Sequence, residues 1–196
     1  MGPSLRVTAT ITIQGRIVDL ALDGPGHTAY VTGGSDNTVP VDGTVSVIDT
    51  RSNTVTDTIA VGKSPMGVAV DGSTHTAYVV NSEDGTVSVI DTRSNTVIDT
   101  IAVGETPSYV AVDESIHTAY VTNSVENGTV SVIDSRSNKV TDTILVGIRP
   151  GAIAVDGSAH TAYVANSSDG TVSVVNPQTH KVATIHVGGT LRVRMS

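Results

Sequence analysis

Four histidines stand in one repeated string, His-Thr-Ala-Tyr-Val, at His27, His75, His117 and His160. Each follows an aspartate at the end of an apolar run: Asp23, Asp71, Asp113 and Asp156. Imidazoles in a ring are raw material for a transition-metal centre, and a ring of carboxylates suits calcium. The pattern argues for a humbler role. No neighbouring carboxylate breaks the symmetry of the histidines as a catalytic metal site would require, so each histidine is expected to hydrogen-bond locally at a hairpin. Each aspartate directly precedes a turn, usually at Asp-Gly, where an Asx-type bond to the backbone is its natural use. The segments Asn81-Ser82-Glu83-Asp84-Gly85 and Asn166-Ser167-Ser168-Asp169-Gly170 superficially look like calcium loops but lack the ligand spacing and the terminal bidentate glutamate. No serine lies in a nucleophile-elbow context, and no glycine-rich loop joins a strand to a helix to cradle phosphate. Cysteine is absent, which removes thiolate chemistry and disulfides. His180 and His186 fall outside the repeat and read as surface residues of a strand. The sequence therefore predicts no metal, no cofactor and no assignable catalytic residue.

The elements that carry these residues are repeated too. Gly-Thr-Val-Ser-Val recurs at Gly43, Gly85, Gly128 and Gly170, in steps of 42, 43 and 42 residues. The histidine string steps by 48, 42 and 43, so the first repeat carries about six extra residues, within Thr32 to Asp42. Each period holds four strand-like runs, here named A to D. In the second copy they are Gly67 to Val70, Thr76 to Val80, Thr86 to Ile90 and Thr96 to Val103. Asp71-Gly72 and Asp84-Gly85 supply hairpin turns, and Gly104 and Pro107 punctuate the passage to the next copy. Val, Ile and Thr dominate, Phe and Trp are absent, and no segment has useful helical periodicity. A four-stranded unit repeated every 40 to 45 residues needs an identical neighbour to cover its faces, which selects an all-β propeller of four antiparallel blades. The expected divisions are a D-like strand over 5–14, blades over 15–62, 63–104, 105–147 and 148–189, and a tail over 190–196.

Tyr120-Val121-Thr122-Asn123, followed by Asn127-Gly128-Thr129-Val130-Ser131-Val132-Ile133-Asp134, resembles the YVTN repeat of bacterial and archaeal propellers, including archaeal surface-layer proteins. Tyr78-Val79-Val80-Asn81 and Tyr163-Val164-Ala165-Asn166 are near variants, and Tyr30-Val31-Thr32-Gly33 departs at the asparagine. The resemblance implies the propeller fold and admits a structural role in an assembling surface layer. Rings in that family often have more blades, commonly seven.

Comparing the four copies separates scaffold from candidate site. The A–B and C–D turns share one end of a propeller and are nearly uniform here. The B–C and D–A loops share the other end and differ. Arg16 aligns with Ser64, Thr106 and Arg149; Lys63 aligns with Gly15, Glu105 and Ile148; Asp19 aligns with Gly67, Tyr109 and Ala152. Loops displayed on a rigid frame are where binding concentrates, so the candidate ligand-binding residues are Arg16, Asp19, Lys63, Glu105, Tyr109 and Arg149, around the mouth of a central channel. The expected function is a binding or interaction scaffold for a protein or a small polar or anionic ligand. A small-molecule lyase or cyclase at the channel mouth, with Tyr109 as a proton donor, is the alternative.

The net charge of −8 argues against nucleic acid and against an anionic membrane, either of which would want a basic stripe. No apolar run reaches spanning length and none has the form of a signal peptide, so a soluble protein is expected, cytoplasmic or secreted with its leader removed. Two D-like strands, Val7 to Ile13 and Lys181 to Val187, compete to finish the last blade. The surplus strand could lie as an outer addition, mediate dimerisation or mark a fragment of a larger ring, and two chains could close a ring of eight blades. The favoured expectation is a compact closed ring of four blades, alone or as a homodimer of rings.

Overall fold

The computed structural model describes residues 6–13, 15–34, 43–179 and 181–187. Sixteen strands form four separate antiparallel sheets, each running from an inner A strand to an outer D strand in chain order. Blade 1 comprises β1 (Arg16–Asp23), β2 (Thr28–Gly34), β3 (Thr44–Asp49) and β4 (Thr54–Ala60). Blade 2 comprises β5 (Pro65–Asp71), β6 (Thr76–Asn81), β7 (Thr86–Asp91) and β8 (Thr96–Ala102). Blade 3 comprises β9 (Pro107–Asp113), β10 (Thr118–Asn123), β11 (Thr129–Asp134) and β12 (Lys139–Leu145). Blade 4 comprises β13 (Pro150–Asp156), β14 (Thr161–Asn166), β15 (Thr171–Asn176) and β16 (Lys181–His186). The expected propeller blades are present. The inner strands begin earlier than the apolar pattern indicated, because β5 and β13 cross register irregularities that recruit Pro65 and Pro150 to the pairing. Among the described residues no helix is long and apolar enough to cross a membrane.

The blades stack because alternating side chains on each strand bury both faces of the sheet. Between blades 1 and 2, Tyr30, Val45, Val47 and Ile59 meet Val68, Ala77, Val79 and Ile90. Between blades 2 and 3, Tyr78, Val87, Val89 and Ile101 meet Val110, Ala119, Val121 and Ile133. Tyr120, Val130, Val132 and Ile144 repeat the pattern against Ala162, Val164 and Val175 of blade 4. Burying one such side chain contributes about 1.5–3 kcal/mol, against about 1 kcal/mol net for a hydrogen bond. Face-to-face packing is therefore the principal force between blades.

The ring is not closed within one chain, which corrects the expected compact four-bladed ring. No hydrophobic cluster joins blade 4 to blade 1 among the described residues. Tyr163 of blade 4 is 41% exposed, whereas its equivalents Tyr30, Tyr78 and Tyr120 are 0% exposed. Leu20 of blade 1 is 53% exposed, whereas its equivalents Val68 and Val110 are 5% and 8%. The inner strands pack in series, β1 on β5, β5 on β9 and β9 on β13. The molecule is an arc with two open faces.

The competition between the two D-like segments is settled by β16, which pairs with β15 and completes blade 4. Residues 6–13 form no strand; Ile11 and Ile13 instead pack on Ala29, Val31 and Ile48 of blade 1. Strand β16 has six residues where β4, β8 and β12 have seven, and it lacks the register shift that those three share. One residue fewer leaves nothing to bulge.

Candidate functional site

The end of the arc carrying the A–B and C–D turns is uniform for a visible reason. Asp49, Asp91 and Asp134 each accept two backbone N–H bonds, from Arg51 and Ser52, Arg93 and Ser94, and Arg136 and Ser137. These bonds hold the three carboxyls below the usual carboxylate range. The A-strand aspartates make the expected Asx bonds: Asp71 accepts the N–H groups of Ser73 and Thr74, and Asp156 those of Ser158 and Ala159. The left-handed residue of this turn is not the glycine but the histidine, at φ 52, 56, 54 and 49 for His27, His75, His117 and His160. The histidine carbonyl then accepts the N–H that opens the C–D turn of its own blade, from Thr50, Thr92 or Ser135.

The imidazole does something the local reading did not foresee. His160 Nδ1 lies 3.0 Å from Asp113 Oδ2, so the ring of blade 4 reaches the aspartate of blade 3. Burial pushes the Asp113 carboxyl up, but hydrogen bonds from Ser115 and His160 outweigh it and leave the group below its ordinary value. The corresponding atoms of the preceding junction, Asp71 Oδ2 and His117 Nδ1, are both buried without a partner. At the ends of the arc the halves are separated: His27 and Asp156 are both exposed.

The opposite end carries the candidate residues. Ser64, Thr106 and Arg149 adopt φ 52, 49 and 49, each directly before a proline that disfavours the right-handed alternative. Their carbonyls turn to the B–C loop of the same blade and accept N–H bonds from Ser82, Ser124 and Ser167 at 3.0, 2.9 and 3.1 Å. Lys63 N–H and Ile148 N–H donate to Asp84 and Asp169 in the same loops. In blades 2, 3 and 4 the backbone at this end is thus one repeated frame that carries unlike side chains.

Lys63, Glu105 and Arg149 are exposed on that frame, one in each of blades 2, 3 and 4, and Arg16 is exposed at the start of β1, where the left-handed residue is Gly15 and no proline follows. The three basic residues form no ion pair with a described residue. Glu105 joins Ser64, Ser82, Glu83, Asp84, Gly85 and Thr106 around an open recess of about 610 Å³ between blades 2 and 3. The structure does not gather the six candidates into one pocket. Arg16 and Arg149 open the first and last blades and stand at opposite ends of the arc. Tyr109 is 37% exposed on the inner strand β9. Asp19 is occupied in holding blades together, since its Oδ2 accepts the N–H of Val68 at 3.0 Å and its Oδ1 that of Leu20. The aligned Gly67 is also structural: a Cβ there would stand 2.8 Å from Tyr109 Cα. Part of the variation at this position is therefore packing. No group of three or more His, Cys, Asp or Glu among the described residues is arranged to hold a metal ion. His180 and most of the first-repeat insertion, residues 35–42, lie outside the described residues.

Sequence reasoning passed over the asparagine of the Tyr-Val-x-Asn string as a chemical device. Asn81, Asn123 and Asn166 are buried, and each Nδ2 donates to a threonine and a serine of strand C: Thr86 and Ser88, Thr129 and Ser131, Thr171 and Ser173. The same carboxamides touch the glycine of the linker entering the blade. A Cβ on Gly62, Gly104 or Gly147 would fall 2.5–2.6 Å from the asparagine Cγ. Gly147 N–H also donates to Asn166 Oδ1. The signal was present in the sequence, because the asparagine recurs at Asn81, Asn123 and Asn166 and is replaced in blade 1 by Gly33.

A propeller segment of four blades, open at both ends, is the class of protein that this fold defines. No protein-family model matches the sequence, and no curated protein matches it. By shape, 1146 solved chains match, which marks a widely used architecture and not a close kinship. One of them, Kuenenia stuttgartiensis hydrazine synthase, superposes with a TM-score of 0.77 at 23% identity, over 94% of this chain. This chain spans about half of that one, 53%. At this identity the likeness is one of fold.

Proposed function

We propose that the chain is a binding scaffold, built of YVTN-type repeats, that presents its D–A and B–C loops to a protein or a small polar or anionic ligand. One observation carries this reading: Lys63, Glu105 and Arg149 are unlike side chains, exposed on a linker backbone that blades 2, 3 and 4 repeat, and Arg16 is exposed where blade 1 begins. A scaffold that only needed to fold would have no use for three exposed cations at one end that form no ion pair with a described residue. The YVTN resemblance supports a repeat propeller of this kind. The lyase or cyclase reading has less support, because the recess beside Glu105 is open and Asp84 already serves the Lys63 backbone.

The test is a thermal-shift panel of inorganic phosphate, sulfate, citrate and acidic sugars, in which a ligand of the native state raises Tm. Combined Arg16→Ala, Lys63→Ala and Arg149→Ala should abolish the shift given by any hit. Combined Arg51→Ala, Arg93→Ala and Arg136→Ala, at the other end, should leave it intact. The reverse pattern would move the interface to the uniform end.

A further inference from the structure

We propose that blade 4 of one chain docks on blade 1 of a second copy, and that two chains close an eight-bladed ring by making this junction twice. The proposal concerns the ends of the arc and does not depend on the ligand reading above. Its basis is that one chain carries both halves of an interface it already makes three times internally, and leaves the half on blade 4 uncovered and the half on blade 1 covered in part, by Ile11 and Ile13.

Three matching pairs support the second copy as the occupant. The first is polar. His160 of blade 4 meets Asp113 of blade 3 at 3.0 Å, while His27 and Asp156, the unmatched members of the same series, are exposed at opposite ends. A second copy brings a cationic or hydrogen-bonding imidazole to each free carboxylate.

The second pair is a tyrosine and its receptor. Tyr30 Oη donates to Thr92 O at 3.3 Å and Asn95 Oδ1 at 3.1 Å in the C–D turn of the following blade. Tyr163 meets no C–D turn among the described residues and is 41% exposed. The vacant receptor is blade 1's own turn, Thr50 and Asn53, already in the bound shape: Asn53 has φ 56 against 53 for Asn95. Thr50 N–H donates to His27 O as Thr92 N–H donates to His75 O, both at 2.9 Å.

The third pair is apolar. The uncovered face of blade 4 offers Tyr163, Ile185 and Val187, and that of blade 1 offers Leu20 and Leu22, all more than a third exposed. The outer part of the blade 1 face is occupied by Ile11 and Ile13 on Ala29, Val31 and Ile48. In the internal junction the matching blade 2 residues, Ala77, Val79 and Ile90, receive Ile59 and Val61. Segment 6–13 therefore occupies the place that Ile185 and Val187 of a second copy would take, and docking displaces it. A head-to-tail contact of this type either closes or polymerises; eight blades made from two chains is a closed solution within the range of known propellers. Closure also makes Arg149 of one copy and Arg16 of the other neighbours, which a single arc cannot do.

The experiment is multi-angle light scattering with sedimentation over a concentration series of the full chain. A mass of two chains is expected; one chain at the highest concentration, or a ladder of longer polymers, overturns the proposal. Tyr163→Ala should weaken the dimer about tenfold, while the exposed Ile98→Ala on β8 should not; an unchanged dimer in Tyr163→Ala overturns it. His27→Asp, which sets two carboxylates face to face and is tolerated at positive φ, should abolish the dimer, and adding Asp156→Asn should restore it. Ile11→Asp with Ile13→Asp should tighten the dimer by freeing the docking face, and a weaker dimer would overturn the displacement. All these side chains lie outside the three internal junctions, so circular dichroism should remain unchanged.

Discussion

Blades 2 and 3 are enclosed on both faces and blades 1 and 4 on one, although all four are written in nearly the same residues. Tyr120 and Tyr163 stand in the same string, yet one is 0% exposed and the other 41%. The difference shows that burial in this molecule belongs to the junction between repeats. A repeat supplies half of each of two interfaces, and its stability depends on what stands beside it.

The sharpest test compares these tyrosines. Tyr120→Ala, which empties a packed junction, should cost about 3–5 kcal/mol in chemical denaturation. Tyr163→Ala, measured on dilute protein, should cost less than about 1 kcal/mol. Equal losses would mean that the arc is already closed in solution. Next in size is the linker glycine. Gly104→Ala drives a Cβ to 2.5 Å from Asn123 Cγ and should cost about 1–3 kcal/mol. Gly24→Ala, with nothing within 4 Å of its Cβ, should leave the denaturation midpoint in place.

The same division extends to pH. Burial pushes the hydroxyls of Tyr30, Tyr78 and Tyr120 up to about 12 from 10.0. Their folded values are raised, so their contribution is complete below pH 10 and is lost as pH climbs towards 12. Ultraviolet titration should show three tyrosinates forming late, together with unfolding. At the acid side the sign is opposite. Asp113 has a lowered value in the fold, so its contribution is present above the unfolded value of 3.8 and is lost as pH falls through the folded one. Asp113→Asn should flatten that acid limb of the stability curve, followed by thermal unfolding between about pH 2 and about pH 6. The smallest effect is local: Thr106 is β-branched at φ 49, and Thr106→Gly should raise stability by about 1 kcal/mol.

The period, the four strands of each blade and the Asx turns were legible because they depend on residues close in the chain. Asp71, Ser73 and Thr74 meet within four positions, and alternation in Thr76 to Asn81 shows a strand without knowledge of its neighbour. What stayed hidden lies between repeats. That His160 serves Asp113, or that Asn123 meets Gly104, depends on how one blade is rotated against the next, which a single period does not encode. The candidate site suffered the same limit. Arg16, Lys63, Glu105 and Arg149 were read as one site on the variable end, but whether such residues face one another depends on closure, and the open arc separates the two arginines. Asp19 looked like a ligand because its copies differ, when it is a brace for Val68.

The glycine before each linker and the asparagine after it have a consequence for how such chains change length. Gly62 is fitted to Asn81, Gly104 to Asn123 and Gly147 to Asn166, so each of blades 2, 3 and 4 has a socket in its entering linker and a matching plug at the end of its second strand. An insertion or loss of one whole period leaves each plug in a socket. A loss that removes the glycine and spares the asparagine leaves the carboxamide its bonds to strand C but not its linker partner. Unequal recombination between the repeats would thus yield foldable products mainly in whole-blade steps, and the number of blades is the most freely adjustable dimension of this architecture.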